Sequence, residues 1–172
     1  GVTIIPTDGR LVPVSDPLSN VAMLAKIFLP KGARVLPLNS EAADYKLAGS
    51  AANARLSDLH WPLDLVWLGM GADGHTASIF PGSDYEEALN PAKGVRAIGV
   101  RPDPFPPEAP VDRVTLTVPA IVEARTTMLV INGAEKQQVL EQAIEEGKKS
   151  AYPVGRVIDA LTVPVDIYCL SV

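Results

Sequence analysis

The stretch that decides the fold is residues 63–81, LDLVWLGMGADGHTASIFP. It begins with an apolar run typical of a strand that is buried on both faces. A glycine-rich turn follows, in which Gly69, Gly71 and Gly74 permit positive φ angles and a close approach of backbone to a ligand. After the turn we predict a short helix over residues 76–80, which the next proline ends.

Apolar runs and helical patterns alternate along the rest of the chain. We predict strands at residues 2–5, 33–38, 63–68, 94–100, 114–118, 126–131 and 165–170. We predict helices at residues 20–29, 40–59, 76–80, 119–123, 133–146 and 154–161, the first two capped by Ser19 and Ser40. The segments 7–17 and 101–110 are rich in proline or polar residues and are predicted to be loops. The alternation favours an α/β fold with a mainly parallel sheet covered on both faces.

Length and composition limit the class of protein. With 172 residues the chain is predicted to form one domain over residues 1–172. Its formal net charge of −5 argues against broad binding to nucleic acid or to anionic membranes. No apolar run approaches the roughly 18 residues needed to span a bilayer. The single cysteine, Cys169, excludes an intrachain disulfide, is expected to be a small buried hydrophobe, and fits a reducing compartment such as the cytoplasm.

The turn matches the dinucleotide-binding pattern G-x-G-x-x-G over residues 69–74. That pattern also needs an acidic residue at the end of the next strand, about 20 residues further on. Here the strand ending at Val100 is followed by Arg101. The context therefore argues against a dinucleotide site.

The chain has two histidines, and their positions differ in what they predict. His75 leaves the glycine turn, where a side chain that titrates near neutrality could act as a general acid or base. Asp73 could orient the imidazole or cap the following helix. His60 lies at a predicted helix end and is expected to be a surface or capping residue. Two histidines this far apart, without a nearby cysteine, do not indicate a metal site.

Three basic residues are candidates for binding an anion. Lys136 lies in the first turn of a predicted helix, where a cation is unfavourable unless a bound anion shares the helix N-terminus. Arg10 and Arg113 follow aspartates in polar segments and could complete a clamp, although each alone could be a solvated arginine. A serine nucleophile is not supported, because G-x-S-x-G is absent and Ser78 has no identifiable base partner.

Four segments together resemble the 6-phosphogluconolactonases, a branch of the glucosamine-6-phosphate isomerase/6-phosphogluconolactonase superfamily. Residues 69–81, GMGADGHTASIFP, resemble the family signature G-x-G-x-D-G-H-T-A-S-[LI]-F-P. Residues 8–13 with Ser19 and Asn20 resemble its D-E-R-x-V-P…S-N stretch. RVTLT at 113–117 and GAEK at 133–136 resemble two further family elements, in the same order and spacing.

The resemblance implies a Rossmann-like three-layer αβα fold, no cofactor, and hydrolysis of 6-phospho-D-glucono-1,5-lactone in the pentose phosphate pathway. It implies His75 as general base, Asp73 as the residue that sets the imidazole, and a clamp of Arg10, Lys136 and Arg113 on the phosphate. The N–H groups of Gly69, Gly71 and Gly74 would stabilise the oxyanion. The expected partner is a sugar-phosphate lactone, and the expected state is a monomer or weak homo-oligomer.

Two departures from the family pattern leave alternatives open. Gly9 stands where the family has glutamate. Family members also carry some tens of residues before the first strand seen here, including a G-G-[ST]-x-P loop, so the chain is expected to be truncated at its N-terminus. The alternatives are a non-catalytic sugar-phosphate-binding domain or inactive fragment, and an isomerase of the glucosamine-6-phosphate deaminase type. Residues 79–81 favour the lactonase branch.

Overall fold

The computed structural model describes residues 1–39, 44–82 and 84–170. Its strands are β1 (Thr3–Ile4), β2 (Asp8–Arg10), β3 (Arg34–Val35), β4 (Leu65–Leu68), β5 (Ala97–Val100), β6 (Arg113–Leu116), β7 (Thr126–Asn132) and β8 (Val165–Leu170). Its α-helices are α1 (Asn20–Phe28), α2 (Tyr45–Leu56), α3 (Tyr85–Leu89), α4 (Val118–Val122), α5 (Ala134–Glu146) and α6 (Pro153–Ala160). Strands and helices alternate along most of this order, as the sequence predicted.

Three hydrogen-bonded ladders organise these strands. Strands β4, β7 and β8 form a parallel ladder in that order, and β1 pairs in parallel with β3. Strands β2, β6 and β5 form an antiparallel ladder. The pairings are therefore mainly parallel, and the α/β class is confirmed.

Two helices, α1 and α2, begin at short polar side chains that cap their N-termini. Ser19 caps α1 as predicted, since its Oγ accepts a hydrogen bond of 3.3 Å from the N–H of Ala22. Helix α2 begins at Tyr45, and its cap is Asp44, which accepts 2.9 Å from the N–H of Leu47. The predicted cap Ser40 lies outside the described residues. No helix in the described ranges has both the length and the apolar content to cross a membrane.

Two segments differ from the prediction because tertiary contacts override local pattern. The predicted loop 7–17 contains β2, which is held by antiparallel pairing with β6. The predicted helix after the glycine turn is instead a tight turn, in which Thr76 and Ile79 form an isolated bridge. Ala77 has a φ of 49° within this turn, a left-handed conformation that no helix would contain. The proline-rich segment 101–110 is irregular, as predicted.

The parallel ladder is covered unevenly. Val66 and Leu68 of β4 are buried, whereas Leu65 and Trp67 on the other face are 52% and 60% exposed. The predicted second covering layer is therefore incomplete over this face in the described residues. Cys169 of β8 is exposed, so the prediction of a buried thiol is wrong. Strand β8 ends the ladder on its side and leaves this residue uncovered.

Helix α2 packs directly on β5, and two glycines make that approach possible. A Cβ atom on Gly49 would overlap the backbone of Ile98 and Gly99. A Cβ atom on Gly99 would overlap the carbonyl of Tyr45. The distance between helix and sheet is therefore set by backbone contact, with no room for a methyl group.

Replacing Gly49 with alanine should destabilise the protein. Alanine favours a helix over glycine by about 1 kcal/mol, but forcing a methyl group into a filled contact costs about 1–3 kcal/mol and here it meets backbone rather than a movable side chain. We expect Gly49→Ala to lower the free energy of unfolding by about 2 kcal/mol in a urea titration. The control is Ser50→Ala on the exposed side of the same helix, with an expected change below about 0.5 kcal/mol. A Gly49→Ala protein as stable as the wild type would refute the backbone contact.

Candidate functional site

One open cavity of about 350 Å³ brings together residues from distant parts of the chain. Among the residues named from the sequence, those that line it are His75, Arg10, Arg113, Lys136, Gly69 and Gly71. They come from β2, β6, the turn after β4 and the first turn of α5. Asp73 and Gly74 belong to the turn but do not line the cavity. A titratable imidazole thus shares one concave surface with three cationic side chains.

The glycine turn is braced by its own hydrogen bonds. The N–H of Gly71 donates to the carbonyl of His75 over 3.0 Å, and the N–H of Gly74 donates to the carbonyl of Gly71 over 3.0 Å. The hydroxyl of Thr76 donates to the carbonyl of Gly69 over 2.7 Å. The two glycine N–H groups are therefore occupied within the turn, so the expected oxyanion contacts from Gly71 and Gly74 are not available in this arrangement.

Two of these glycines are required by contact. A Cβ atom on Gly71 would overlap the ring of His75 and the carboxylate of Asp73. Gly74 has a φ of 80°, and a Cβ atom there would overlap the ring of Tyr152. A side chain at Gly71 would push the imidazole away from the place it occupies, and one at Gly74 would displace the ring of Tyr152.

Asp73 holds the imidazole from one edge. Its Oδ1 accepts hydrogen bonds from Nδ1 of His75 at 2.5 Å and from the backbone N–H of His75 at 3.1 Å. The side-chain bond to His75 keeps the pKa of the Asp73 carboxyl below its usual value, against the effect of burial. Because a turn and no helix follows, the capping role proposed for Asp73 is wrong and the orienting role remains. With Nδ1 engaged, Nε2 is the free nitrogen of the ring.

Arg10 and Arg113 lie directly opposite each other in the β2–β6 pairing. Like charges at such positions are unfavourable unless an anion joins them. Arg113 is only 3% exposed, and burial lowers the pKa of its guanidinium, an effect to which Arg10 adds and which Asp8 opposes. One nitrogen, Nη2, donates 2.8 Å to the carbonyl of Ala109.

The charge of Arg113 is incompletely compensated. The nearest carboxylate is that of Asp8, whose Oδ2 lies 4.0 Å from Nη1. The buried Nε of Arg113 has no hydrogen-bond partner among the described residues. A guanidinium whose buried charge is incompletely compensated, and which lines the cavity, is well suited to bind an anion.

Lys136 lies in the first turn of α5, after Gly133, whose φ of 94° few other residues adopt. In the described ranges, neither Lys136 nor Arg10 takes part in an ion pair. Both side chains line the cavity and can meet an anion there, and Nη1 of Arg10 also donates a 3.4 Å hydrogen bond to the carbonyl of Leu18. The exposed position of His60 is also as predicted.

Sequence reasoning missed several residues at this site. The cavity is also lined by Thr7, Asp8, Met70, Thr76, Ala77 and Glu108. Asp8 accepts a 2.6 Å hydrogen bond from the hydroxyl of Ser78, so this fully buried serine does have a carboxylate partner. Asp8 lies two residues before Arg10 in the quoted motif and could have been named as a site residue from it. Glu108 lies in the irregular proline-rich segment, where no pattern marks it.

Gly9 is accommodated by a neighbouring side chain. A Cβ atom on Gly9 would overlap the side-chain amide of Asn39. That amide donates to the carbonyls of Arg10 and Val12, bracing the strand that carries Arg10. Asn39 therefore occupies the space into which a larger residue would extend.

The comparisons with known proteins agree on one family. Residues 1–163 match the family model described as "Glucosamine-6-phosphate isomerases/6-phosphogluconolactonase". A protein of Mesorhizobium japonicum named 6-phosphogluconolactonase is 37% identical over 97% of this chain and 69% of its own length. One of Pseudomonas aeruginosa with the same name is 32% identical over 89% of this chain and 64% of its own length.

Solved structures agree. A 6-phosphogluconolactonase from Shewanella baltica superposes with a TM-score of 0.86 at 31% identity, over 99% of this chain and 72% of that one. One from Trypanosoma brucei superposes with a TM-score of 0.77 at 29% identity, over 96% of this chain and 70% of that one. The family model covers nearly the whole sequence, and the relatives align along most of it. The chain therefore belongs to the glucosamine-6-phosphate isomerase/6-phosphogluconolactonase family.

Proposed function

We propose that this chain hydrolyses 6-phospho-D-glucono-1,5-lactone to 6-phosphogluconate, a step of the oxidative pentose phosphate pathway. The observation that carries the proposal is the shared cavity, in which the imidazole of His75 faces the same space as Arg10, Arg113 and Lys136. The names of the relatives support the same reaction. A dianionic phosphate at one end of a small ester matches this distribution of charge.

The chemical step needs a base beside the ester carbon. His75 holds Nδ1 against Asp73, which leaves Nε2 to take a proton from a water molecule. The water oxygen then bonds to C1 of the lactone, forming a tetrahedral oxyanion. When that intermediate collapses, the C1–O5 bond breaks, and the imidazolium gives the proton it took from water to the departing ring oxygen. No covalent bond to the protein forms in this sequence.

The ionised carboxylate of Asp73 supports this role in two ways. It selects the tautomer with the proton on Nδ1, and it stabilises the imidazolium that forms when the water is deprotonated. Because the hydrogen bond to His75 lowers the pKa of Asp73, the carboxyl stays ionised throughout the neutral range. The acid form of Asp73 is therefore not part of the working cycle.

The phosphate end of the substrate is assigned to the cationic side of the cavity. Arg10 and Arg113 lie opposite each other on adjacent strands, and Lys136 approaches from the start of α5. A phosphate between the two guanidinium groups would relieve their mutual repulsion. The same group would lie near a helix N-terminus, where phosphate binding is favourable.

The cellular setting follows from the sequence and the reaction together. The substrate is a soluble sugar phosphate, and the protein is expected to act in the cytoplasm as a monomer or weak homo-oligomer. Nucleic acid is not an expected partner, given the formal net charge of −5.

Removing the proposed base should abolish most of the catalysis. We expect His75→Asn to lower kcat by about 10²–10⁴-fold, the contribution typical of general base catalysis. The measurement is hydrolysis of freshly prepared lactone, corrected for spontaneous ring opening. His60→Asn is the matched control and should leave the rate unchanged, since His60 is exposed and outside the cavity. A His75→Asn enzyme that keeps most of its rate would exclude the imidazole from the reaction.

Removing one cation of the clamp should act mainly on binding. We expect Lys136→Ala to raise KM about tenfold with little effect on kcat, because the phosphate is bound equally in the ground and transition states. Lys148→Ala is the control, an exposed lysine beyond the other end of the same helix. If kcat fell while KM stayed constant, Lys136 would belong to the chemical step.

Phosphate itself should stabilise the folded protein. Inorganic phosphate at about ten times its Kd should raise the free energy of unfolding by about 1.4 kcal/mol. The measurement is the Tm in phosphate, compared with the Tm in potassium chloride of equal ionic strength. Arg10→Gln should remove most of that rise, since it deletes half of the guanidinium pair. An equal rise in both proteins would place the anion elsewhere.

Two further assays separate the alternative functions. Binding of 6-phosphogluconate without any lactone turnover would identify a non-catalytic sugar-phosphate-binding protein. Release of ammonia from glucosamine 6-phosphate would identify a deaminase-type isomerase.

A further inference from the structure

The ring of Phe80 contacts both His75 and Arg113. It stacks on the imidazole of His75, with ring centroids 4.3 Å apart and planes inclined by 27°. The guanidinium carbon of Arg113 lies over the same phenyl ring, 5.3 Å from its centroid. His75 and Arg113 line the cavity, whereas Phe80 does not. Phe80 is therefore placed to act through His75 without touching substrate.

The hydrogen bond to Asp73 does not by itself fix the plane of the imidazole ring. Asp73 holds one edge of the ring through a single oxygen, and the Asp73 side chain is 60% exposed. One hydrogen bond to an exposed carboxylate fixes the position of Nδ1 but leaves the ring plane free to swing. Stacking on a neighbouring aromatic ring fixes the plane, because offset faces attract and hinder rotation. The direction of Nε2 then follows from both contacts together.

Phe80 is itself held on a firm base. Arg113 is 3% exposed, and its guanidinium donates to the carbonyl of Ala109 over 2.8 Å, so it has little freedom to move. A cation over the face of an aromatic ring is attracted by the ring quadrupole. The buried charge thus fixes the phenyl ring, and the phenyl ring fixes the imidazole.

The backbone between the two rings is bent to bring them together. Ala77 has a φ of 49°, and the N–H of Ile79 donates to the carbonyl of Thr76 over 3.0 Å to close the turn. Ile79 is fully buried and anchors the turn in the core. A non-glycine residue in the left-handed region persists only where the surroundings impose it, and such residues cluster at functional sites. A helix through this segment would have pointed Phe80 away from His75.

We infer that Phe80 is a positioning residue, whose ring, stacked on His75 and packed under the guanidinium of Arg113, sets the plane of the imidazole for taking a proton from the attacking water. The inference rests on the proposed function for its kinetic consequence. The stacking of Phe80 on His75 in solution can be measured without measuring turnover.

The kinetic test compares a substitution that removes the aromatic ring with one that keeps it. Phe80→Leu keeps an apolar side chain without an aromatic face, and Phe80→Tyr keeps the face. We expect Phe80→Leu to lower kcat about tenfold with KM within about twofold of the wild type, because misplacing a catalytic group is costly while the clamp stays in place. Phe80→Tyr should keep kcat within about twofold. Phe105→Leu, in an exposed segment outside this cavity, is the control for losing a phenyl ring.

A spectroscopic test reads the stacking directly. The chain has two histidines, so the ring protons of His75 are assigned by their persistence in His60→Asn. A stacked phenyl ring shifts these protons upfield, and we expect the shift in the wild type and Phe80→Tyr but not in Phe80→Leu. Phe80→Met serves as a second ring-free variant if Phe80→Leu does not fold by circular dichroism.

The outcomes are distinct. Wild-type kcat in a folded ring-free variant, loss of activity in Phe80→Tyr equal to that in Phe80→Leu, or His75 resonances that do not respond to loss of the ring would each overturn the inference. A wild-type protein that does not hydrolyse the lactone overturns the proposed function instead, and the resonances still decide whether Phe80 positions the imidazole.

Discussion

The parallel pairing of β4 with β7 is the constraint from which the site follows. Leu68 at the end of β4 is in register with Leu129, so both strands direct their carboxyl ends to one edge of the sheet. The glycine turn leaves the first strand at that edge, and α5 begins just beyond the second. Two residues far apart in sequence, His75 and Lys136, therefore meet at one cavity. The antiparallel ladder then adds the two arginines from its own pair of strands.

The parts of the fold that could be predicted are those whose pattern is local. Strands β4 and β7 and helix α5 follow from apolar runs and from a 3.6-residue stripe. Strand β2 could not be predicted in the same way, because its three residues, DGR, have no apolar alternation and are held only by their partner strand. The residues after His75 have no helix breaker before Pro81, yet burial of Ile79 and pairing across the turn prevent a helix.

The site shows the same division. His75, Arg10, Arg113 and Lys136 were named from motifs and do line one cavity. The contacts between site residues could not be predicted, because they depend on cross-strand register and on the path of a turn. These contacts are Arg10 opposite Arg113, Ser78 on Asp8, and Phe80 against His75. Residue type and order were thus readable, whereas contacts between residues distant in sequence required the folded chain.

The uneven covering of the parallel ladder has a consequence for how the protein behaves at high concentration. In the described part of the chain β4 pairs on one side only, and its uncovered face carries Leu65 and Trp67, which are 52% and 60% exposed. An apolar strand with an unpaired edge is a template for intermolecular pairing. We therefore expect concentrated samples of this chain to aggregate, and the fluorescence emission of Trp67 to shift to shorter wavelength as its indole leaves water.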